Sequence, residues 1–323
     1  MVKYVSVIGG VNVDIKGFSA DIKADADSHP GKVFFSAGGV ARNMAENLSR
    51  LDLPVRLFGI TGKDVFGEFI FSDCASREIS TEFLMQFSQV RTSVYVTLAN
   101  KTGSAFFAVN DMKSAEEFLN ADLIKKNSEV LKQSSMIVLD TNMKTDALNE
   151  AVEIANENSI PVFVDAVSSE KALRVKEISG KVDFLSVNRA EFAGLFENIN
   201  FDKDEKILKL MNDGAFEKFK YVILKMDKEG VKIICTEEEI IFSFKALQTE
   251  IKEISGAGDA FNAGFIFSVL NDESGSYDIT KAGRMGLCAA GFALRSYDSV
   301  SNEINKKSLT DFYNQILNSD EFI

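Results

Sequence analysis

The stretch "EISGAGDAFNAGF", from Glu253 to Phe265, places two glycines and a carboxylate at the start of an apolar run. A helix beginning near Ala257 would leave its first N–H groups without helical partners, pointing back across the glycines. The positive end of the helix dipole and a backbone without Cβ atoms both favour an anion there. Asp259, at the same end, could accept a proton from an attacking hydroxyl, which is worth on the order of 10²–10⁴ in rate. These residues suit phosphoryl transfer, but an ordinary capped helix with tightly packed glycines would show the same pattern.

Two further runs carry residues that suit a polyhydroxy ligand. "GGVNVDIKG" places Asn12 and Asp14 two apart after an apolar segment, and side chains two apart on an extended chain face the same way. An amide and a carboxylate on one face suit the vicinal hydroxyls of a sugar. "SAGGVARNMAENL" has Gly38 and Gly39 at a helix start and Asn43 one turn later. A turn followed by a helix cap explains either run equally well, so neither is specific alone.

Composition excludes several other classes of function. The chain has 323 residues, 46% of them hydrophobic, which allows one large domain or two small ones. A net charge of −12 argues against a nucleic acid as the main partner. No apolar run approaches the roughly 20 residues of a membrane helix, and no signal peptide precedes the first predicted strand. We expect a protein that acts on small molecules, without nucleic acid or membrane partners.

The few cysteines and histidines narrow the chemistry further. Cys74, Cys235 and Cys288 lie far apart with no CxxC spacing, which indicates a reducing, cytoplasmic location and no zinc ribbon. His29 is the only histidine, so any catalytic triad or histidine metal site would have to use it. No G-x-x-x-x-G-K-[ST] run occurs, which excludes a Walker A loop.

Alternating strand and helix patterns must position these residues. The predicted strands are short, continuous apolar runs: 4–10, 55–62, 135–140, 161–166, 182–188 and 221–226. Helical patterns lie between most of them, for example at 40–51, 64–77 and 145–157. This alternation predicts a parallel sheet covered on both faces, with ligands at the carboxyl ends of its strands. Gly9, Gly10, Asp140, Asp165 and Asn188 all fall at such ends.

Two β-rich segments interrupt the alternation. They are "GKVFFSAGG" at 31–39 and "RTSVYVTLANKTGSAFFAVND" at 91–111, the second with a hairpin signal at "ANKTGS". We expect a small sheet that projects from the main domain as a lid over the strand ends. A dimer contact or a plain extra edge is the alternative. No repeat, low-complexity tract or proline-rich linker is present, so one domain with a lid is favoured over two domains.

Together, "GGVNVDIKG", "AGGVARNMAENLSRL", "GITGKDVFG", "NRAE" and "SGAGDAFNAGF" resemble the motifs of the PfkB, or ribokinase-like, family of carbohydrate and nucleoside kinases, in that family's order. The resemblance covers nearly the whole chain. It implies one α/β domain over 1–323 with three layers, a mostly parallel central sheet, and a β lid formed by about 15–37 and 90–112. Within the family, the run at 25–51, "FAVNDM" at 107–112 and Arg42 are similar to the pseudouridine kinase group.

The resemblance also implies a role for each matching residue. Asp259 corresponds to the catalytic base, and Gly256, Ala257 and Gly258 to the backbone anion hole. Substrate binding is implied for Asn12, Asp14, Gly38, Gly39, Arg42, Asn43, Asp111 and Asn142. Nucleotide binding is implied for Asn188, Lys225, Gly230, Ser255, Gly256 and Gly258. Glu191 corresponds to the glutamate that organises Mg²⁺ through its waters, and Mg²⁺ commonly keeps several waters and meets few protein carboxylates.

Two departures from the family pattern affect these expectations. The family often has an acid, a threonine and a further residue before GAGD, where this chain has Glu253, Ile254 and Ser255. The missing threonine argues against the family's monovalent cation site. Lys225 and Asp227 replace smaller residues beside the nucleotide, so Lys225 either reaches a phosphate or is a solvated charge.

The resulting expectation is an ATP- and Mg²⁺-dependent kinase that phosphorylates the 5′-hydroxyl of pseudouridine. A kinase for another nucleoside, or for a free sugar such as ribose or fructose, is the alternative enzyme. A non-catalytic regulator that binds a sugar or nucleoside on the same fold is the alternative of another class. A homodimer formed through the lid is compatible with each of these.

Overall fold

The computed structural model describes residues 3–19, 28–99, 105–196, 203–272 and 277–317. Within these residues the chain forms strands β1 (Tyr4–Ile8), β2 (Asn12–Ser19), β3 (Gly31–Gly38), β4 (Val55–Gly62), β5 (Leu84–Phe87), β6 (Ser93–Ala99), β7 (Ala105–Asp111), β8 (Ser134–Asp140), β9 (Val162–Asp165), β10 (Val182–Asn188), β11 (Phe219–Lys225), β12 (Val231–Cys235) and β13 (Ile240–Phe244). Nine of them form the central sheet, in the order β13-β12-β11-β10-β9-β8-β1-β4-β5. The sheet is parallel from β5 to β11, and β12 and β13 continue it antiparallel.

Helices cover both faces of this sheet. They are α1 (Val40–Arg50), α2 (Val65–Ser76), α3 (Lys113–Phe118), α4 (Ala121–Lys126), α5 (Ser128–Leu131), α6 (Thr145–Glu157), α7 (Ser169–Lys176), α8 (Arg189–Leu195), α9 (Asp204–Asn212), α10 (Ala257–Leu270), α11 (Ile279–Leu294) and α12 (Lys306–Leu317). None of these helices has the length and apolar character needed to cross a bilayer.

The central strands are buried on both sides, as their continuous apolar sequences predict. All five residues of β1 are buried, and alternate residues contribute to two separate cores. Val5 and Val7 join the core that contains α1, α10 and α11, whereas Ile8 joins the core that contains α6. The three-layer α/β fold with a mostly parallel sheet is therefore confirmed.

Helix α10 is the central helix of the first core and begins where the sequence predicts. It starts at Ala257, and the residues from Asp259 to Val269 are all buried. Gly256 precedes it with a φ of 80°, and a Cβ there would collide with the carbonyl oxygen of Ser299. Glycine is thus required at this position by both the backbone conformation and the close approach of another chain segment.

The lid is a second sheet of four strands in the order β3-β2-β6-β7. Strand β2 pairs antiparallel with β3 and parallel with β6, and β7 pairs antiparallel with β6. The lid begins at Asn12, so Asn12 and Asp14 lie on a lid strand rather than in a loop before it. Most of the hairpin signal "ANKTGS", at 100–104, lies outside the described residues, as does 20–27.

The carboxylate of Asp140 ties three elements together below the lid. It is fully buried at the end of β8, and its Oδ2 accepts hydrogen bonds from the backbone N–H of Gly10 (2.8 Å) and of Ala41 (2.9 Å). Its Oδ1 accepts from the N–H of Asn142 (2.8 Å). One side chain therefore fixes the turn after β1, the first turn of α1 and the loop after β8.

We predict that Asp140→Ala destabilises the fold strongly. Three buried N–H groups would lose their acceptor, and each such loss costs about 1–3 kcal/mol. We therefore expect the free energy of unfolding, measured by urea titration, to fall by about 3 kcal/mol or more. Glu153→Ala, an exposed change on α6, is the control and should change it by less than about 0.5 kcal/mol. A similar small change in Asp140→Ala would contradict the anchoring role.

Candidate active site

Asp259 lies in the first turn of α10 and connects that helix to α1. Its side chain is buried, with 9% of the residue exposed. Its Oδ2 accepts a hydrogen bond of 2.9 Å from Nδ2 of Asn43, which stands one turn into α1. The two glycine-rich helix starts singled out in the sequence are thereby joined by one hydrogen bond.

The N-terminus of α10 is bare backbone next to a positive charge. No side chain caps this helix, whose first residues are Ala257 and Gly258. A Cβ on Gly258 would lie 3.4 Å from Nζ of Lys225, so the ammonium group stands beside the glycine. Helix dipole, exposed backbone and ammonium together form a place where an anionic group would be stabilised.

Lys225 is held by an acid and is not a solvated charge. Its Nζ forms an ion pair of 2.9 Å with Oδ2 of Asp165, and only 19% of its side chain is exposed. Burial acts to lower the pKa of Lys225, but Asp165 and Glu191 raise it above the usual value. The sequence left open whether Lys225 reaches a phosphate or is a solvated charge, and the structure excludes the solvated charge. Contact with a nucleotide phosphate stays a prediction.

Asp165, at the end of β9, organises the floor of this site. Its Oδ2 accepts from Lys225 and from Nδ2 of Asn262 (2.7 Å), and its Oδ1 accepts from the backbone N–H of Val167 (2.9 Å). Asn262 is three residues after Asp259 on α10, so Asp165 also faces the turn that carries Asp259. The carboxylate thus links β9, β11 and α10.

Burial makes the ionised form of Asp259 unfavourable. Desolvation is the main cause that raises the pKa of Asp259 to about 8, and the nearby charges of Asp165 and Asp140 act in the same direction. The hydrogen bond from Asn43 and the charge of Lys225 partly oppose this rise. A carboxylate with a pKa near neutrality is well suited to exchange a proton with a substrate hydroxyl.

Asn12 and Asp14 lie together on the lid strand, as their spacing predicts. Nδ2 of Asn12 donates to Oδ1 of Asp14 at 2.6 Å, and both residues are buried. Burial raises the pKa of Asp14 despite this hydrogen bond. A Cβ on Gly38 would collide with the Asp14 carboxylate, and one on Gly39 with the carbonyl oxygen of Gly10. The glycines therefore allow the lid strand and the start of α1 to approach closely.

Asn142 lies at the base of the lid, next to Asp140. Its Oδ1 accepts from Nζ of Lys171 at 2.7 Å. Burial raises the pKa of Asp140 to about 6, and hydrogen bonding by Asn142 is among the contacts that oppose this rise. Asn142 also lines a small cavity together with Gly10 and Ser93, whose buried hydroxyl has no hydrogen-bond partner among the described residues and suits an ordered water.

Asp111 ends β7 beside Val94 of β6, on the face of the lid opposite Asn12 and Asp14. Its Oδ2 forms an exposed ion pair of 3.2 Å with Arg91, and the two side chains are 49% and 81% exposed. The described contacts place Asp111 on the lid surface without joining it to Asp14 or Asp259. Its implied role in substrate binding stays a prediction.

Asn188 and Glu191 form a capping box at the start of α8. Oδ1 of Asn188 accepts from the N–H of Glu191 (2.9 Å), and Oε2 of Glu191 accepts from the N–H of Asn188 (2.8 Å). Glu191 Oε1 also accepts from Nδ2 of Asn188 (2.7 Å). The motif thus has a structural function of its own, independent of any metal.

The charge around Glu191 nevertheless fits a cation. Burial and the neighbouring Asp165 raise the pKa of Glu191, and the charge of Lys225 and the N–H of Asn188 only partly oppose this rise. Asp165, Glu191 and Asp259 all influence the pKa of one ammonium, that of Lys225. Among the described residues no group of three acidic, cysteine or histidine side chains forms a metal cage. A Mg²⁺ ion here would depend on phosphate oxygens and water for most of its ligands, as Mg²⁺ commonly does.

Of three further predicted residues, Gly230 and Ser255 lie in turns around this site and Arg42 lies on α1. Gly230 follows β11 with a φ of 99°, and a Cβ there would collide with the carbonyl oxygen of Phe244. The hydroxyl of Ser255 stands 3.4 Å from that of Ser299. Arg42 points its guanidinium towards Asp73, at 2.5 Å, on α2. The ligand-binding roles of Gly230, Ser255 and Arg42 stay predictions.

Sequence reasoning noted Asp140 and Asp165 only as strand ends and gave no role to Asn262 or Lys171. The strand-end position was the available signal for the two aspartates, because the carboxyl ends of parallel strands share one edge of the sheet. No local signal marks Asn262 or Lys171, whose partners are 97 and 29 residues away in the sequence.

Comparison with known proteins gives consistent relatives. The model of the pfkB family of carbohydrate kinases matches residues 2–305. A pseudouridine kinase of Escherichia coli K12 is 30% identical over 261 residues, which are 81% of this chain and 82% of that protein. An uncharacterized sugar kinase of the same strain is 28% identical over 93% of this chain and 80% of its own length. The structure of Arabidopsis thaliana ribokinase complexed with ribose and ATP superposes with a TM-score of 0.81 at 16% identity, covering 97% of this chain and 99% of that one, and thus shares the fold.

We predict that Asp259→Asn stabilises the protein increasingly as pH rises. The folded-state pKa of Asp259, about 8, lies above the ordinary aspartate value of 3.8, so the free energy of unfolding decreases as the pH rises from the lower value to the higher. Replacing Asp259 by asparagine removes this pH-dependent loss of stability, because asparagine does not ionise. Between pH 5.5 and 7.5, the difference in unfolding free energy between the variant and the parent should grow by about 2 kcal/mol, measured by urea titration.

The exposed change Asp298→Asn serves as the control and should show no such trend. A constant difference between Asp259→Asn and the parent at both pH values would mean that Asp259 does not titrate in this window.

Proposed function

This chain belongs to the PfkB family of carbohydrate kinases, and on that premise we propose that it transfers the γ-phosphoryl group of ATP to the 5′-hydroxyl of pseudouridine. Phosphotransfer to an alcohol follows from membership of the family. The choice of pseudouridine is supported by the 30% identity with the Escherichia coli pseudouridine kinase. The proposal treats residues 1–323 as one kinase domain with its lid.

The observation that carries the proposal is the hydrogen bond between Asn43 and Asp259. It places the carboxylate of α10 next to the glycine-rich start of α1, which also packs against Asp14 of the lid. A sugar held by Asn12 and Asp14 would present a hydroxyl between the two helix starts. The charge distribution there suits a base on one side and an anionic phosphoryl group on the other.

Each residue then has a defined task in the reaction. The lid residues Asn12 and Asp14 bind the ribose hydroxyls, and Asp259 accepts the proton of the attacking 5′-hydroxyl. The backbone at 256–258 and the ammonium of Lys225 stabilise the charge of the phosphoryl group. Positioning and charge stabilisation supply most of the catalysis in phosphoryl transfer.

Glu191 is the residue proposed to hold Mg²⁺ through its waters, and its capping partner Asn188 is proposed to contact the nucleotide. When bound with ATP, Mg²⁺ neutralises charge on the phosphate oxygens. Glu191 would orient its waters, while Asp165 keeps Lys225 in place. A monovalent cation is not required by this proposal, because Ile254 stands where the family often has threonine.

The cavity beside Asn142 has room for about one ordered water and not for a nucleobase. The hydroxyl of Ser93 lines this cavity and could bind such a water. The choice of pseudouridine over a free sugar therefore rests on the similarity to the Escherichia coli pseudouridine kinase.

A sugar kinase is the second candidate. The name of the 28% identical Escherichia coli relative favours it, and Asn12, Asp14 and Asn43 would serve a free pentose or hexose equally well. A regulator without catalysis is less well supported, since Asp259 and both flanking glycines are present.

Cys74, Cys235 and Cys288 are buried free thiols, which supports the proposed reducing, cytoplasmic location.

We predict that pseudouridine is the preferred acceptor in a panel with uridine, adenosine, ribose and fructose, each assayed with ATP–Mg²⁺ for ADP formation. Asp259→Asn should lose at least about 10²-fold in kcat because the base is removed. Pseudouridine binding to this variant, measured calorimetrically, should stay within about threefold of the parent, since Asn12 and Asp14 are intact. Asp298→Asn is the matched control and should retain parental turnover.

Preference for ribose over pseudouridine would contradict the proposed substrate but leave the proposed kinase activity intact. Tight nucleoside binding with no ADP formation by the parent would favour the regulator. Near-normal turnover by Asp259→Asn would remove Asp259 from its proposed role.

The lid also supports a proposal for assembly. Strand register places Val33 and Phe35 of β3, Leu98 of β6, and Phe107 and Val109 of β7 on one face of the lid, opposite Asn12 and Asp14. These five apolar residues are 41–72% exposed. Exposed apolar patches of this kind commonly mark protein contacts. We propose that a second copy of the chain covers them.

Analytical ultracentrifugation tests this assembly. The parent should sediment as a dimer, and Val33→Lys/Val109→Lys should sediment as a monomer because two charges would enter the apolar contact. Lys32→Glu/Lys113→Glu, at exposed positions beside the same strands, is the control and should stay dimeric. A monomeric parent, or a dimeric lysine variant, would contradict the lid interface.

A further inference from the structure

The guanidinium of Arg42 contacts the amide that binds Asp259. Arg42 precedes Asn43 on α1, and 2% of its surface is exposed. Its Nη1 donates to Oδ1 of Asn43 at 3.2 Å and to the carbonyl oxygen of Ala37 at 3.4 Å. The opposite end of the Asn43 amide, Nδ2, donates to Oδ2 of Asp259 at 2.9 Å. Arg42, Asn43 and Asp259 therefore form a continuous chain of hydrogen bonds.

This chain allows one orientation of the Asn43 amide. Rotating the amide by 180° would direct Oδ1 at the Asp259 carboxylate and Nδ2 at the guanidinium of Arg42. With Asp259 ionised, both contacts would then be repulsive, because an ionised carboxylate only accepts and a guanidinium group only donates hydrogen bonds. Arg42 therefore determines which end of Asn43 faces Asp259. In a buried site a hydrogen bond from such a fixed donor is stronger than the same bond in water.

A buried acid, Glu46, and a partly buried one, Asp73, hold Arg42 in this position. Its Nη2 pairs with Oδ2 of Asp73 at 2.5 Å and with Oε2 of Glu46 at 2.6 Å. Arg77 pairs with the same two acids, at 2.7 Å to Glu46 and 3.0 Å to Asp73. The described contacts of Arg77 do not include Asn43. The planar fork of arginine can serve several acceptors at fixed angles, and a lysine ammonium cannot reproduce that geometry.

We infer that Arg42 is a positioning residue, which keeps the Asn43 amide donating to Asp259 and so holds the catalytic carboxylate in one orientation. This inference rests on the proposed role of Asp259 as the base. It differs from the direct substrate contact implied by family resemblance, because Arg42 acts through Asn43. The chain of polar contacts then extends from Asp259 on α10 through α1 to Asp73 on α2.

The pH dependence of the reaction reports on this arrangement. The groups that act on Asp259 are Asp140 on β8, Asp165 on β9, Lys225 on β11 and Asn43 on α1. The two aspartates favour the protonated form of Asp259, whereas Lys225 and Asn43 favour the ionised form. Losing the donated bond of Asn43 should therefore move the acidic limb of the kcat profile to higher pH. A purely structural role of Arg42 would not move it.

The test compares Arg42→Lys with Arg77→Lys, the same exchange in the same charge cluster. Steady-state kinetics with pseudouridine and ATP–Mg²⁺ are measured from pH 6 to 9.5. For Arg42→Lys we expect kcat to fall by about 10-fold, KM for pseudouridine to change by less than about twofold, and the acidic limb to shift upward by about half a pH unit. Arg77→Lys should change each quantity by less than about twofold.

Several outcomes would overturn the inference. A higher KM with unchanged kcat in Arg42→Lys would indicate direct substrate binding. Equal losses in both variants, or an unshifted pH profile, would indicate a structural role. If Arg42→Lys does not fold, Arg42→Met/Glu46→Gln removes both buried charges together, with Arg77→Met/Glu46→Gln as its control. Failure of both Arg42 variants to fold, while the Arg77 variants fold, would make Arg42 a folding residue and also overturn the inference.

The proposed function and the positioning role of Arg42 can fail independently of each other. An active Asp259→Asn would remove the base, and with it the premise. An inactive Asp259→Asn combined with an unaffected Arg42→Lys would remove only the positioning role.

Discussion

Buried negative charge at the end of the central sheet is the constraint on which the rest of the site depends. Asp165, Glu191 and Asp259 all act on the ammonium of Lys225, and burial of a charge is costly unless it is paired or hydrogen-bonded. Asp165 takes the ion pair with Lys225, and Glu191 takes the N–H groups of Asn188. Asp259 receives an amide hydrogen bond from Asn43, and its pKa rises to about 8. Asp259, the acid whose ionised form is stabilised least, is thus the one best placed to take a proton. The remaining negative charge of the three acids suits a divalent cation.

The fold meets this constraint by bringing strand ends together. In the parallel sheet Asp140 is the register partner of Asp165, and Asn188 is that of Lys225, so all four residues lie at the carboxyl ends of neighbouring strands. Helix α10 lies over this edge with its uncapped N-terminus beside Lys225. The lid strand β2 follows β1 after a short turn that Asp140 holds in place. The proposed binding of sugar and phosphate therefore uses two elements anchored to the same strand ends.

Several particular features could be predicted from the sequence because they depend on nearby residues. Continuous apolar runs predict strands buried on both faces, and glycines before an apolar helix predict the start of α10 at Ala257. The two-residue spacing of Asn12 and Asp14 predicts their common face, since alternation is a property of any extended chain. The pairing of Lys225 with Asp165, 60 residues away, has no local signal, and the contact of Arg42 with Asp73 depends on how α1 packs against α2.

The sequence by itself therefore determined the elements, their order, the family motifs and the residue types available for chemistry, because backbone periodicity and helix-start glycines act over a few residues. Only the tertiary structure decided which charges meet. It placed Lys225 against Asp165 and beside Gly258, directed Asn43 at Asp259, and enclosed Arg42 between two acids. The physical reason is that the cost of a buried charge depends on every group within a few ångströms, and those groups come from strands and helices far apart in the chain.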